Sequence, residues 1–180
     1  MIFFRVLFFL LSFLVATTGM AQTRLEDKIK AAYLYNFTKF ISWPEISGDR
    51  FTICLLGQDG VTELLATLED RKAQGKPIHL QPIKSLKNLN TACQILYLAE
   101  NSRFQLQKKL AGVLVVKSID HTLTVSSQPS FIRQGGMIGF VIVDQRVRLQ
   151  INLTTLRQSE LKISAKLLEV ADVVQEGEHE

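Results

Sequence analysis

The chain is short of the residues on which most enzyme chemistry is built. In 180 residues it has two cysteines, three histidines, one tryptophan and four prolines. No C-x-x-C occurs, which argues against a dithiol oxidoreductase. No HxxxH, HExxH or Cys/His cluster occurs, and His79, His121 and His179 are far apart, so no zinc-ligand spacing is present. None of the serines sits in a G-x-S-x-G elbow. The nearest approach to a phosphate loop, Gly57-Gln-Asp-Gly60, lacks both the third glycine of a dinucleotide fingerprint and the Gly-Lys-Ser/Thr of a P-loop. We therefore expect no enzymatic activity, no cofactor and no metal, and keep Gly57 and Gly60 only as ligand-binding candidates at a βα turn.

Long apolar runs are equally scarce, with one exception at the start. Residues 1–21 carry a single charge, Arg5, followed by a nearly unbroken apolar run from Val6 to Val15. That is too short for the roughly 20 residues a bilayer span needs. A basic start, a short apolar stretch and small residues at Gly19 and Ala21 predict a secretory signal peptide cut before Gln22, and hence export. Two Asn-x-Thr matches, Asn36 and Asn152, are read as chance, since they fall in a helix and at a strand end.

With 47% apolar and 21% charged residues the remainder is an ordinary globular composition, neither disordered nor low in complexity. Its length suits one domain, taken as residues 22–174, with an acidic disordered tail at 175–180. Five acids and no Lys or Arg lie between Glu169 and Glu180, against a body in which bases outnumber acids. Basic residues scattered singly do not make the stripe that phosphate tracking needs, so no nucleic-acid partner is expected.

Helical spacing of Leu25, Ile29, Ala32, Tyr33, Asn36, Phe37 and Phe40 predicts a long helix over Glu26–Ile41, stopped near Pro44. Phe51–Leu56, Gly57 and Gly60–Asp70 read as strand, turn and helix, the opening of a βαβ unit. Lys76–Ile83 reads as an edge strand because of Pro77 and Pro82. Cys93–Ala99 is a further strand, Ser102–Leu110 a short helix and Val113–Val116 a third buried run. Met137–Val143 and Val147–Asn152, joined by Asp144-Gln145-Arg146, predict a hairpin, and the apolar spacing from Leu156 to Ala171 predicts a C-terminal helix. The expected fold is α/β: a three-layer α/β/α sandwich with a mixed, mostly parallel sheet and a C-terminal β-hairpin plus helix.

Cys54 and Cys93 both lie in apolar strand-like runs. In an oxidising compartment an even count favours a bridge, and two buried thiols are the alternative. A 2-1-3 strand order would make their strands neighbours. Arg133, Arg146, Arg148 and Arg157 fall around the hairpin and could meet an acidic partner surface, or alternate on a solvent face. Among the aromatics, Tyr35 and Trp43 lie off the helical stripe or beyond it, which makes them candidates for an exposed partner-facing patch.

The run Ile29-Lys-Ala-Ala-Tyr-Leu-Tyr-Asn-Phe-Thr-Lys-Phe-Ile-Ser-Trp-Pro44 closely resembles the opening helix of the YfiR-like family of periplasmic proteins. Gly135-Gly-Met-Ile-Gly-Phe-Val-Ile, Val147-Arg-Leu-Gln-Ile-Asn152 and Leu161-Lys-Ile-Ser-Ala-Lys-Leu-Leu168 resemble that family's hairpin, strand end and final helix, in the right order. The resemblance implies an exported, non-enzymatic repressor that binds the periplasmic sensor region of an inner-membrane diguanylate cyclase and so controls cyclic di-GMP and biofilm formation. It also implies an outer-membrane lipoprotein as a sequestering partner and a Cys54–Cys93 disulfide. A second cysteine pair found in relatives near the Gly-Gly hairpin is missing from this chain. A homodimer is left open. The alternative function is a periplasmic small-ligand sensor acting on another membrane signalling partner.

Overall fold

A computed structural model describes residues 18–86, 93–100 and 121–174. The leader up to residue 17, the helix expected at Ser102–Leu110, the run Val113–Val116 and the tail 175–180 lie outside the described residues.

Helix α1 spans Thr18–Phe40, starting earlier than its spacing predicts, and runs into β1 (Ile41–Ser42). Its buried line is Leu34, Phe37 and Ile41, at 0%, 0% and 1% exposure, while Leu25 is 53% exposed and Ala32 is also in solvent. The helix is thus rotated from the orientation that hydropathy suggests. The reason is that two polar residues, Lys30 and Thr38, share the buried side with Leu34 and Phe37. Phe37 stacks on Tyr33 and Phe140 at 6.2 Å from each, Tyr33 and Phe140 meet tilted at 6.1 Å, and the three rings join α1 to the sheet.

The rest of the chain forms β2 (Phe51–Leu56), α2 (Gly60–Leu65), a 3-10 turn (Ala66–Leu68), β3 (Lys72–Ala73) and β4 (Lys76–Ile83). There follow β5 (Ile95–Leu98), β6 (Leu123–Ser126), a second 3-10 turn (Ile132–Gln134), β7 (Ile138–Val143) and β8 (Arg146–Asn152). Last come α3 (Leu153–Gln158), β9 (Lys162–Ile163), α4 (Ala165–Leu168) and β10 (Ala171–Val174). Among the described residues eight strands make one sheet in the order β10-β8-β7-β6-β5-β2-β4-β3. From β4 to β7 all neighbours are parallel, and β7–β8 is the antiparallel hairpin. The central order β4-β2-β5-β6-β7 is the 2-1-3-4-5 winding of a doubly wound α/β fold, so the first and third strands are neighbours as the sequence reading required.

Alternate residues of each strand point to opposite faces, and both faces are buried. Phe51, Ile53, Ile95, Tyr97, Val125, Ile138 and Leu149 face α1, α2 and α3. Cys54, Leu56, Leu96 and Leu98 face the other way and pack with Phe131 and Ile132 of the second 3-10 turn.

Two expectations are corrected here. The helix drawn over Leu156–Ala171 is two short helices separated by β9, which pairs with β1 through Ile41 and Ile163. Glu160, in the left-handed region at φ 61°, turns the chain there. Leu156, Leu161 and Leu167 are nevertheless all buried, so the apolar spacing found the core but not the path. In the hairpin, Arg146 belongs to β8, and the connection is a two-residue turn with Asp144 and Gln145 both at positive φ (50° and 59°), the type I′ geometry without its usual Asn-Gly.

Candidate functional site

The carboxyl ends of the parallel strands meet where the winding reverses, between β2 and β5, and this is where open α/β sheets place their sites. Asp59 spans that junction. As the N-cap of α2 its Oδ1 accepts the Thr62 amide (3.0 Å), while the Thr62 hydroxyl takes the Asp59 amide (2.9 Å), a reciprocal capping box. Its Oδ2 accepts the Tyr97 hydroxyl (2.8 Å) and the Glu100 amide (3.1 Å). One carboxylate therefore ties the turn after β2 to the end of β5. Tyr97 is fully buried, and burial together with the Asp59 charge pushes its ionisation well above the ordinary phenol range.

Gly57, at φ 87°, lets β2 turn into this loop. Gly60 allows α1 to come close: a Cβ built there would lie 2.1 Å from Asp27 Oδ2. Two carboxylates, Asp27 from α1 and Asp59 of the turn itself, thus stand at the place where a phosphate loop would present free amides. Desolvation raises the Asp27 pKa above 3.8, and Asp59, Glu26 and Glu63 push the same way while Lys30 opposes them. An acid whose pKa is higher folded than unfolded binds more protons in the folded state. It subtracts from stability as pH rises through the window from 3.8 to the folded value, and the loss is complete above it. Asp27→Asn should therefore raise the thermal midpoint at pH 7, with the gain fading as pH falls below 3.8. Melting curves across that range check this, and an unchanged or lower midpoint at pH 7 counts against it.

Beside this junction is a cavity of about 570 Å³ lined by Lys30, Glu100, Ser127, Phe131, Arg133 and Gly139 among others. Lys30 reaches it from α1 and is only 6% exposed. Positive groups (Lys30, Arg133) and negative ones (Glu26, Glu100) line it together, on an apolar base of Phe131, Ile132 and Phe140. Its size lies in the range of small-molecule sites. Among the described residues no group of three or more His, Cys, Asp or Glu is placed to hold a metal ion.

The four arginines do not cluster as drawn from the sequence. Arg133 is exposed at the cavity and bonds the Ser130 hydroxyl. Arg146 and Arg148 stand on the outer face of β8, lining a shallower groove with Glu169 and Asp172. Arg157 is exposed on α3, beyond the other end of β8. Tyr35 is half-buried between two cations, with Lys39 Nζ 4.4 Å and Arg71 Cζ 5.1 Å from its ring centroid. Trp43 is not on an exposed patch. It is 9% exposed, edge-on to Phe51 at 5.0 Å, and its Nε1–H donates to the Gln94 carbonyl at 3.0 Å. The loop after α1 folds back over the amino end of the sheet, which buries a ring that lies beyond the helical stripe.

Cys54 and Cys93 form a disulfide, with Cα atoms 5.8 Å apart and both residues buried. Cys54 is within β2 and Cys93 just precedes β5, the two strands that the winding makes neighbours. Sequence reasoning missed Asp59, Tyr97, Lys30 and Glu100. An Asp three residues before a Thr, after a strand and glycine, was the available capping signal for the first. Nothing local marks the other three, which the sheet order brings together.

No curated protein matches the sequence. A solved structure, a conserved domain protein from Vibrio cholerae O1 biovar El Tor, is 12% identical with a TM-score of 0.47, covering 69% of this chain and 54% of its own, so the chain spans about half of that protein. The sequence profile of the YfiR/HmsC-like proteins matches residues 27–172, from the Asp27 that packs on Gly60 to the Asp172 of the last strand. That span takes in both faces of the core, the disulfide and all of the cavity lining but Glu26 and Val174, and on it the chain belongs to the YfiR/HmsC-like family, known as periplasmic regulators.

Proposed function

We propose that the protein is a periplasmic negative regulator that binds the periplasmic sensor region of an inner-membrane diguanylate cyclase and so holds down cyclic di-GMP and biofilm formation. The observation that carries this reading is the family match over residues 27–172. The buried disulfide is compatible with an oxidising compartment, and among the described residues no helix is long and apolar enough to cross a membrane. In this reading residues 1–21 are the export signal, removed before Gln22. No covalent step is needed: a protein that binds the inactive conformation of the sensor more tightly than the active one shifts the cyclase toward the inactive state. The regulator must favour that conformation about a hundredfold or more to silence a partner whose states are otherwise balanced.

Tyr35, Arg133, Arg146, Arg148 and Arg157 stand as contact candidates, on separate parts of the surface. Trp43, packed inside, would act only by holding the loop after α1 in place. A lipoprotein of the outer membrane that competes for the regulator would relieve the block by mass action. Deleting the gene should raise cellular cyclic di-GMP and biofilm, and restoring it should lower both. An unchanged nucleotide level in a strain that keeps the cognate cyclase would refute the reading.

A further inference from the structure

The solvent-facing side of α1 carries an ordered charge pattern that neither the core nor the candidate site uses. At about 100° per residue, Arg24, Lys28, Tyr35 and Lys39 fall within an arc of about 60°, opposite the buried Phe37 and to one side of the buried Leu34. The three bases are exposed, and exposed Ala32 lies between Lys28 and Tyr35, which keeps the stripe low. Arg71 and Lys72, also exposed, extend the stripe from the neighbouring turn, where Gln74 Nε2–H donates to the Thr38 carbonyl at 2.6 Å and fixes the turn against the helix. Tyr35 sits at the centre with Lys39 on one contact and Arg71 on the other.

The acids of the same helix are segregated from this side. Glu26 faces the cavity and Asp27 packs on Gly60, both half-buried. Asp70 adjoins Arg71 in sequence, and Glu63 acts on Asp27, but the ion pairs among the described residues are Arg50–Asp49, His79–Glu69 and His121–Glu160, none of which involves the stripe. Leu25, 53% exposed, flanks the stripe at its amino end. Bases in a row without an acidic partner among the described residues, an amphipathic ring held among them and one exposed leucine are the chemistry of a surface that meets phosphates at an apolar boundary.

We infer that the outer face of α1 with the turn at Arg71 and Lys72 is a docking surface for an anionic phospholipid membrane. The complementarity is of charge, since each Lys or Arg near an anionic surface adds to the attraction and salt screens it. The surface is distinct from the cavity and from Arg133, Arg146, Arg148 and Arg157. It does not depend on the cyclase reading, because the test contains no second protein.

The exported protein, purified from the periplasm with its disulfide intact, is sedimented with vesicles of phosphatidylglycerol and phosphatidylethanolamine and, separately, of phosphatidylcholine alone. Binding is expected only to the anionic vesicles, falling at least about tenfold when salt is raised to about 0.5 M. The quadruple variant Arg24→Gln, Lys28→Gln, Lys39→Gln, Arg71→Gln should lose at least about tenfold in binding with an unchanged melting curve. A charge-matched control, Arg50→Gln, Lys84→Gln, Lys162→Gln, Lys166→Gln, should stay within about twofold of the unaltered protein. Absence of binding to anionic vesicles at low salt overturns the proposal, and so does an equal loss in the two variants. Capture of a polyglutamate peptide by the stripe without vesicle binding assigns it to an acidic polypeptide and also overturns it.

Discussion

Replacing Cys54 and Cys93 together by alanine should lower the free energy of unfolding by about 4 kcal/mol, seen as a fall of about 10 °C in the thermal midpoint. The bridge closes a sequence separation of 39 residues, and in the chain-entropy view its effect is to remove open conformations of that length from the unfolded ensemble. The folded state gives up little, since β2 and β5 are already paired from Ile53 to Leu98 without it. Both cysteines are buried against Leu56, Leu96 and Leu98, so the alanines also leave space that these side chains only partly fill. The double variant is the clean comparison, because either single one leaves a thiol free to form a bridge between molecules. Calorimetry on the oxidised protein and the variant decides it. Midpoints within about 2 °C of each other would mean that the bridge holds nothing the sheet does not already hold.

Phe37→Ala should cost about 3–5 kcal/mol, the range for losing a large buried ring. Phe37 has no exposure and stacks between Tyr33 of its own helix and Phe140 of β7, at 6.2 Å from each. Removing it opens a void between α1 and the sheet that two rings held by opposite elements cannot close without moving the helix. Urea unfolding followed by circular dichroism reads the loss as a lowered midpoint at unchanged slope. A cost under about 1 kcal/mol would mean that α1 is not the principal cover of this face. The two losses should add, since Phe37 and the disulfide belong to separate clusters on opposite faces of the sheet.

The fold was legible where a strand or helix announces itself by its own composition. Phe51–Leu56, Lys76–Ile83 and Cys93–Ala99 contain β2, β4 and β5, and the glycine after β2 marked the turn into α2. It was not legible at β6, where Leu123-Thr-Val-Ser126 is only four residues long and alternates apolar with hydroxyl residues, a pattern that gives no sign of burial on both faces. All four are buried: the Ser126 hydroxyl donates to the Leu98 carbonyl at 2.8 Å, and the Thr124 hydroxyl accepts the Met137 amide at 3.1 Å. A polar side chain that bonds the neighbouring strand costs little to bury, and no hydropathy pattern can tell it from one that faces water. Lys30 of α1 is likewise buried although a lysine ordinarily marks a solvated position. Of the site, Gly57, Gly60 and Arg133 were visible in advance, whereas Asp59, Tyr97 and Glu100 become a group through the sheet order and a hydroxyl bond between residues 38 apart.

Trp43 is the only tryptophan of the chain, and it is placed where it meets β2 through Phe51 and the start of β5 through the Gln94 carbonyl, one residue from Cys93. All the indole emission of the protein therefore comes from one point at the seam of the two bridged strands. The fold carries its own optical gauge: the colour and intensity of a single ring record whether that seam is closed, with no label added and no second indole to subtract.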